Sequence, residues 1–112
     1  MIIEKIIREY LKLKLNMPVY LEEPTNKPSE YLLVMKTGSS RRNLIPSAMI
    51  TVRSYSTSLS EAIDLNERVK EAMYEAVEVS DITKVQLNSD YNFTDTETKR
   101  YRYQAVFDVT HY

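Results

Sequence analysis

Apolar side chains fall at Ala62, Leu65, Val69, Ala72, Met73, Ala76 and Val77 within SLSEAIDLNERVKEAMYEAVEV, residues 58–79. Steps of three and four put them on one stripe, so the stretch predicts a long central helix that needs a partner surface along its length. Ser58 is placed to accept from the N–H of Glu61, whose carboxylate reaches back as in a capping box. At about 1.5 Å per residue the rod is about 33 Å long, enough to cross a small sheet. The same spacing recurs at Ile2, Ile3, Ile6, Ile7, Tyr10, Leu11 and Lys14, with Glu4, Lys5, Arg8, Glu9 and Lys12 outward. An amphipathic helix over residues 2–14 is expected, ended by Asn16, Met17 and Pro18.

Elsewhere the period falls to two. VYLEE, preceded by a proline, reads as a short edge strand, and Pro24, Asn26 and Pro28 stiffen the loop after it. EYLLVMKT, GSSRRN and LIPSAMITVRSYS read as a hairpin whose polar tip holds Gly38. Ala48, Ile50 and Val52 share one face of the return strand, while Leu32 and Val34 oppose Tyr31, Leu33 and Met35 on the outgoing one. Apolar groups on both faces imply that one face meets the helices and the other meets something else. In the last strand Tyr101, Tyr103, Ala105, Phe107 and Val109 alternate with Arg100, Arg102, Gln104, Asp108 and Thr110. The odd set Val85, Leu87, Tyr91 and Phe93 makes the preceding strand its antiparallel partner, with Tyr91 opposite Tyr101, Leu87 opposite Ala105 and Val85 opposite Phe107. The expected architecture is a single α+β domain over residues 1–112: an antiparallel β-sheet with an N-terminal helix and a long central helix packed on one face.

Composition narrows the function classes. With no cysteine among 112 residues, disulfides, thiolate metal sites and a cysteine nucleophile are excluded, and a reducing compartment is the default. Fifteen basic against sixteen acidic residues leave a net charge of -1, so any contact with a polyanion must be local. One glycine cannot build a glycine-rich phosphate loop. MIIEKIIREYLKLKL is charged throughout, which argues against a signal peptide or a membrane span and for a soluble domain. Nine tyrosines against two phenylalanines suit half-buried strands and interfaces.

Little catalytic chemistry is written in the chain. His111 is the only histidine and has no carboxylate pair nearby, so no catalytic, metal or cofactor residue is assigned. Asp64, Glu67, Glu71, Glu75 and Glu78 follow the polar side of the central helix. Glu71, Glu75 and Glu78 nevertheless crowd the end where the macrodipole is negative, and a basic partner would relieve them. Lys99, Arg100 and Arg102 are the candidates, within the chain or from a neighbouring copy, which makes these six a candidate subunit interface. At the hairpin tip, Ser39, Ser40, Arg41, Arg42 and Asn43 place hydroxyls and two guanidiniums on one loop; this is a candidate lumen or partner loop able to touch phosphates.

The run LIPSAMITVRSYSTSLSEAIDLNERVKEAM, a strand passing directly into a helix, followed by a strand pair ending in RYRYQAVFDV, resembles the tail terminator proteins of long-tailed bacteriophages and prophages. The resemblance spans most of the chain. It implies a non-enzymatic structural protein that assembles as a six-membered ring, caps the tail tube and ends its growth. The partners it implies are further copies of the chain, a tail tube protein and a head connector protein, with transient contact to DNA in the channel and none to a membrane. The location it implies is the head-proximal end of the virion tail, and the host cytoplasm during assembly. A connector or stopper of the phage neck is the alternative, and a bacterial adaptor or small-ligand binding domain a further one.

Overall fold

Ile3, Ile7 and Leu11 recur every fourth residue, and α1 (Ile3–Leu15) buries all three. Asn16 closes it in the left-handed conformation at φ 52°, which asparagine tolerates better than a β-branched residue. A computed structural model describes the backbone of residues 2–42, 45–98 and 100–112, with side chains at all of these except 40–42. After α1 come β1 (Val19–Tyr20), β2 (Tyr31–Arg42), β3 (Ile45–Ser56), α2 (Leu59–Tyr74), a 3-10 turn (Glu75–Glu78), β4 (Ile82–Asn92) and β5 (Tyr101–His111). The chain is an α+β fold whose five strands lie in the order β1-β2-β3-β5-β4.

Both helices pack on one face. Ile7, Leu11, Leu65, Val69 and Met73 meet Leu32, Val34, Ile50, Val52, Ala105, Phe107 and Val109 in one core. Phe107 and Ile50 are fully buried and lie opposite each other, so the centre of this core sits on the β3–β5 pair. α1 is tied to α2 by the Tyr10 hydroxyl, which donates to the Ala72 carbonyl at 2.7 Å. That carbonyl lies in the last turn of α2, where helix carbonyls run out of i+4 partners.

Four expectations need correction. The central helix is not one rod: α2 ends at Tyr74 and tightens into the 3-10 turn, which drives Ala76 into the core. Ser58 does accept from the Glu61 N–H at 3.2 Å, but the Glu61 carboxylate takes hydrogen bonds from the Ser56 and Thr57 hydroxyls, so the box is half formed. The sheet is mixed, because β1 runs parallel to β2, with Val19 opposite Leu32. The fourth correction concerns the first hairpin, whose strands extend to Arg42 and Ile45. Gly38 lies inside β2, next to a bulge at Thr37, without positive φ; an added Cβ would meet Met49 Cβ at 3.6 Å, an ordinary contact. Asn43, the last residue of the expected tip, lies outside the described residues.

The C-terminal hairpin departs most from expectation. Val85 pairs with Val109 and Leu87 with Phe107, on the expected face but two residues along from the expected partners. A bulge at Asn88 then shifts the register, so Tyr91 lies opposite Gln104 and Asn92 opposite Tyr103. An extra residue in one strand moves everything beyond it to the other face. Tyr91 and Phe93 therefore leave the face of Tyr103, Ala105 and Phe107, and Asp90 takes their place there. Asp90 accepts from Asn66 Nδ2 at 3.0 Å and from Lys70 Nζ at 3.1 Å, which joins β4 to α2. Glu67 and Asp90 together push the Lys70 pKa up to about 12.

Two substitutions test this account. Ser58→Ala is expected to lower stability by about 1 kcal/mol through loss of the cap, read by urea denaturation. Phe107→Ala, at the centre of the helix-side core, is expected to cost about 3–5 kcal/mol in the same measurement.

Candidate functional site

The face of the sheet away from the helices has to cover its own apolar groups. Tyr31, Leu33 and Tyr55 are buried there, with Tyr20 and Met35 packed against them. Tyr31 and Tyr55 are cross-strand partners whose rings stack at 4.4 Å between centroids, and Tyr20 meets Tyr31 edge-on at 5.8 Å. Such aromatic pairs contribute about 0.5–1.5 kcal/mol beyond the area they bury.

Burying two phenols requires partners for their hydroxyls. Glu23, from the segment between β1 and β2, accepts from Tyr55 at 2.7 Å and from Tyr31 at 2.9 Å. Arg100 completes the group: it donates to Glu23 at 3.2 Å and to the Tyr31 hydroxyl, and its guanidinium carbon lies 5.0 Å from the centre of the Tyr55 ring. Partial burial pushes the Glu23 carboxyl up, but the hydrogen bonds from Tyr55, Tyr31 and Arg100 outweigh it and hold the pKa below the usual carboxylate value. Tyr31 moves the opposite way, raised first by burial and then by its bond to the Glu23 carboxylate, so it stays protonated at physiological pH. A cavity of about 260 Å³ opens beside this group, between Lys27, Pro28, Thr57 and Tyr101.

Next to it lies an arginine and aromatic ladder. Arg102 donates through Nε to the Phe93 carbonyl at 2.6 Å, and its guanidinium carbon lies 4.6 Å from the Phe93 ring centre. Arg53 donates through Nε to Gln104 Oε1 at 2.8 Å and approaches the same ring at 4.7 Å. Gln104 in turn donates to the Tyr91 hydroxyl, and Tyr91 meets Phe93 edge-on. Each arginine thus has one nitrogen fixed and its plane held near a ring, an arrangement for which the stiff guanidinium fork is suited and a lysine is not.

The residues singled out in the sequence are distributed as follows. Glu75 is met within the chain by Lys14 at 2.8 Å, with Glu78 at 4.0 Å from the same Nζ, so α1 supplies the basic partner. The bond to Glu75 raises the Lys14 pKa. Arg100 and Arg102 are not the intrachain partners of that helix end: Arg100 holds Glu23, and Arg102 lies on Tyr55 and Phe93. Glu71 is exposed and borders a shallow cavity of about 300 Å³ with Arg68 and Lys14. Lys99 lies outside the described residues. Ser39, Ser40, Arg41 and Arg42 do not form a loop; they pair as strand with Ala48, Ser47, Pro46 and Ile45. The side chains of Ser40, Arg41 and Arg42 are outside the described set. His111 Nδ1 contacts the Tyr112 carbonyl at 2.8 Å.

Sequence reasoning missed Glu23, Arg53, Tyr31, Tyr55 and Gln104 as a group. The in-phase positions of Tyr31 with Leu33 and of Arg53 with Tyr55 were a usable signal; nothing in YLEEP marks Glu23 over Glu22. Among the described residues no group of three or more His, Cys, Asp or Glu is placed to hold a metal ion, and no helix is long and apolar enough to cross a membrane. No protein-family model matches the chain, and no curated protein matches it in sequence.

Because the Glu23 pKa is depressed by folding, its contribution is present above the ordinary carboxylate pKa and is lost as pH falls through the depressed value. Glu23→Gln is expected to lower stability at pH 7 by about 1 kcal/mol, a discounted value because the Glu23 side chain is 38% exposed. As pH falls through that depressed value the variant and the parent should converge, as thermal melts across the acid range will check.

Proposed function

We propose that this protein is a tail terminator of a long-tailed bacteriophage or prophage, a non-enzymatic ring subunit that caps the tail tube and offers the surface for joining the head. The support is of two kinds. The sequence pattern that resembles that family runs through β3 and α2, which meet in the α+β fold as a strand passing directly into a helix. The observation that carries the reading is the sheet itself: helices cover one face, while the other holds buried tyrosines beside a fixed arginine ladder. A subunit meant to stand alone has little use for such a second face; one built to sit among copies of itself does.

The long hairpin fits the same role. β1 covers β2 only at Leu32 and Leu33, and β2 and β3 run on as a pair to Arg42 and Ile45 in a molecule 44 Å along its longest axis. Arg41 and Arg42 near the end of this arm would face the tube, or DNA in the channel. The tail tube protein, the head connector and further copies of the chain are the partners of this reading. Its place is the head-proximal end of the tail, reached from the host cytoplasm.

Complementation of a phage lacking this gene, scored by electron microscopy, tests the proposal. Loss of the gene should give tails of uncontrolled length and unjoined heads, and the wild-type chain should restore both. Arg41→Glu with Arg42→Glu should leave tail length normal and reduce head joining or infectivity. Tails of normal length that fail to join heads in the absence of the gene would assign the neck stopper role instead, and normal infectious particles would remove both.

A further inference from the structure

Arg53 and Arg102 each have Nε engaged, by Gln104 and by the Phe93 carbonyl, and among the described residues neither guanidinium pairs with a carboxylate. Both lie against Phe93, which puts their guanidinium carbons at most about 9 Å apart. Arg100 differs, because it is already neutralised by Glu23. Two half-buried cations fixed in place before any partner arrives lose little freedom on binding, which favours a partner whose anions are equally fixed.

Such anions occur on the far side of the same subunit. Between residues 59 and 78, Glu61, Asp64, Glu67, Glu71, Glu75 and Glu78 stand against only Arg68 and Lys70. Glu67 is taken by Lys70, and Glu75 and Glu78 face Lys14. Asp64 and Glu71 remain exposed on the outer face of α2 without an ion pair among the described residues. They are seven residues apart, two turns, or about 10.5 Å along the axis. That is about 1 Å beyond the upper bound on the distance between the two guanidinium carbons, a difference that rotation of the exposed carboxylate side chains covers. Ile63 and Tyr74 on the same side of α2 are 41% and 48% exposed, and Tyr91 beside the arginine ladder is 42% exposed, so each surface also offers apolar area.

We infer that the open sheet face of one copy docks on α2 of the next, with Arg53 and Arg102 meeting Asp64 and Glu71 and with Tyr91 packing near Ile63 and Tyr74. This deepens the ring reading and rests on it for the identity of the occupant. The two surfaces lie on opposite sides of the sheet, so the contact is head-to-tail: it closes into a ring if the rotation between copies closes, and it cannot be satisfied by a two-fold dimer alone. It also separates two kinds of acidic residue on α2, those neutralised at home by Lys14 and Lys70 and those left for a neighbour.

Because the chain has no cysteine, the contact can be read by a single disulfide. Tyr74→Cys and Tyr91→Cys chains are made separately, mixed at high concentration in low salt and oxidised, with each alone as control. The mixture should form the heterodimer roughly tenfold faster than either chain forms its homodimer, and the advantage should fall in high salt. Adding Asp64→Lys with Glu71→Lys to the Tyr74→Cys chain should abolish it, and adding Arg53→Glu with Arg102→Glu to the Tyr91→Cys chain should then restore it. The helix substitutions lie on an exposed face and report even if the arginine substitutions disturb the Phe93 ladder. Crosslinking of the mixture no faster than of the single chains overturns the inference, as does crosslinking indifferent to Asp64→Lys with Glu71→Lys. A single-stranded oligothymidylate that binds wild type, loses binding on Arg53→Glu with Arg102→Glu and blocks the crosslink gives the face to nucleic acid and overturns it too. A head-to-tail crosslink in a chain that fails phage complementation leaves this contact standing and removes the tail role.

Discussion

Two α-helices are enough to cover one face of a five-stranded sheet, and the described residues form only two. Everything on the other face follows from that shortage. Strand geometry sends every second residue of β2, β3 and β5 to the uncovered side, and these positions must be filled by groups that shield one another. Tyr31 and Tyr55 do this by stacking, Arg53 and Arg102 by lying against Phe93, and Glu23 by reaching in from the segment after β1 to take two phenolic protons. The abundance of tyrosine over phenylalanine is thereby explained: a ring half in contact with water needs a polar end, and a buried one needs a carboxylate to receive it.

The same shortage shapes the electrostatics. Positive charge held by π-faces collects on one side of the sheet, and negative charge collects along the outer face of α2 on the other. The net charge of -1 conceals this separation. Lys14 and Lys70 compensate part of the acidic side, the former from α1 and the latter through its bridge to Asp90 on β4. Among the described charges left without an ion pair are Asp64 and Glu71 on one side and Arg53 and Arg102 on the other, and the proposed ring uses these four.

Legibility in the sequence followed the length of the pattern. Residues 3–15 and the first four turns of α2 repeat their apolar spacing several times, so tertiary context had little to override, and β5 pairs with β3 without a register shift. Single insertions defeated the reading elsewhere. The bulges at Thr37 and Asn88 each cost one residue of phase and leave no mark in composition. In β4 the cause is visible only in three dimensions, since Asp90 turns to the helix face to reach Asn66 and Lys70, and Tyr91 is carried to the other side as a result. Asn66, a polar residue inside the apolar stripe of α2, was the one clue. The candidate site was legible as a surplus of tyrosine and arginine on an uncovered face. Its anchor was not, because Glu23 acts across long separations, eight residues to Tyr31 and 77 to Arg100.

The outer edge of β2 has one more consequence. Beyond Leu33 it has no strand beside it among the described residues, and an uncovered edge is a template on which any extended chain can add. Lys36 and the bulge at Thr37 interrupt it, and Ser39 follows in place of an apolar residue. A bulge and a charged side chain at this point make the edge a poorer template for a further strand, so Thr37, an exposed residue outside the core, bears on which chains can add there.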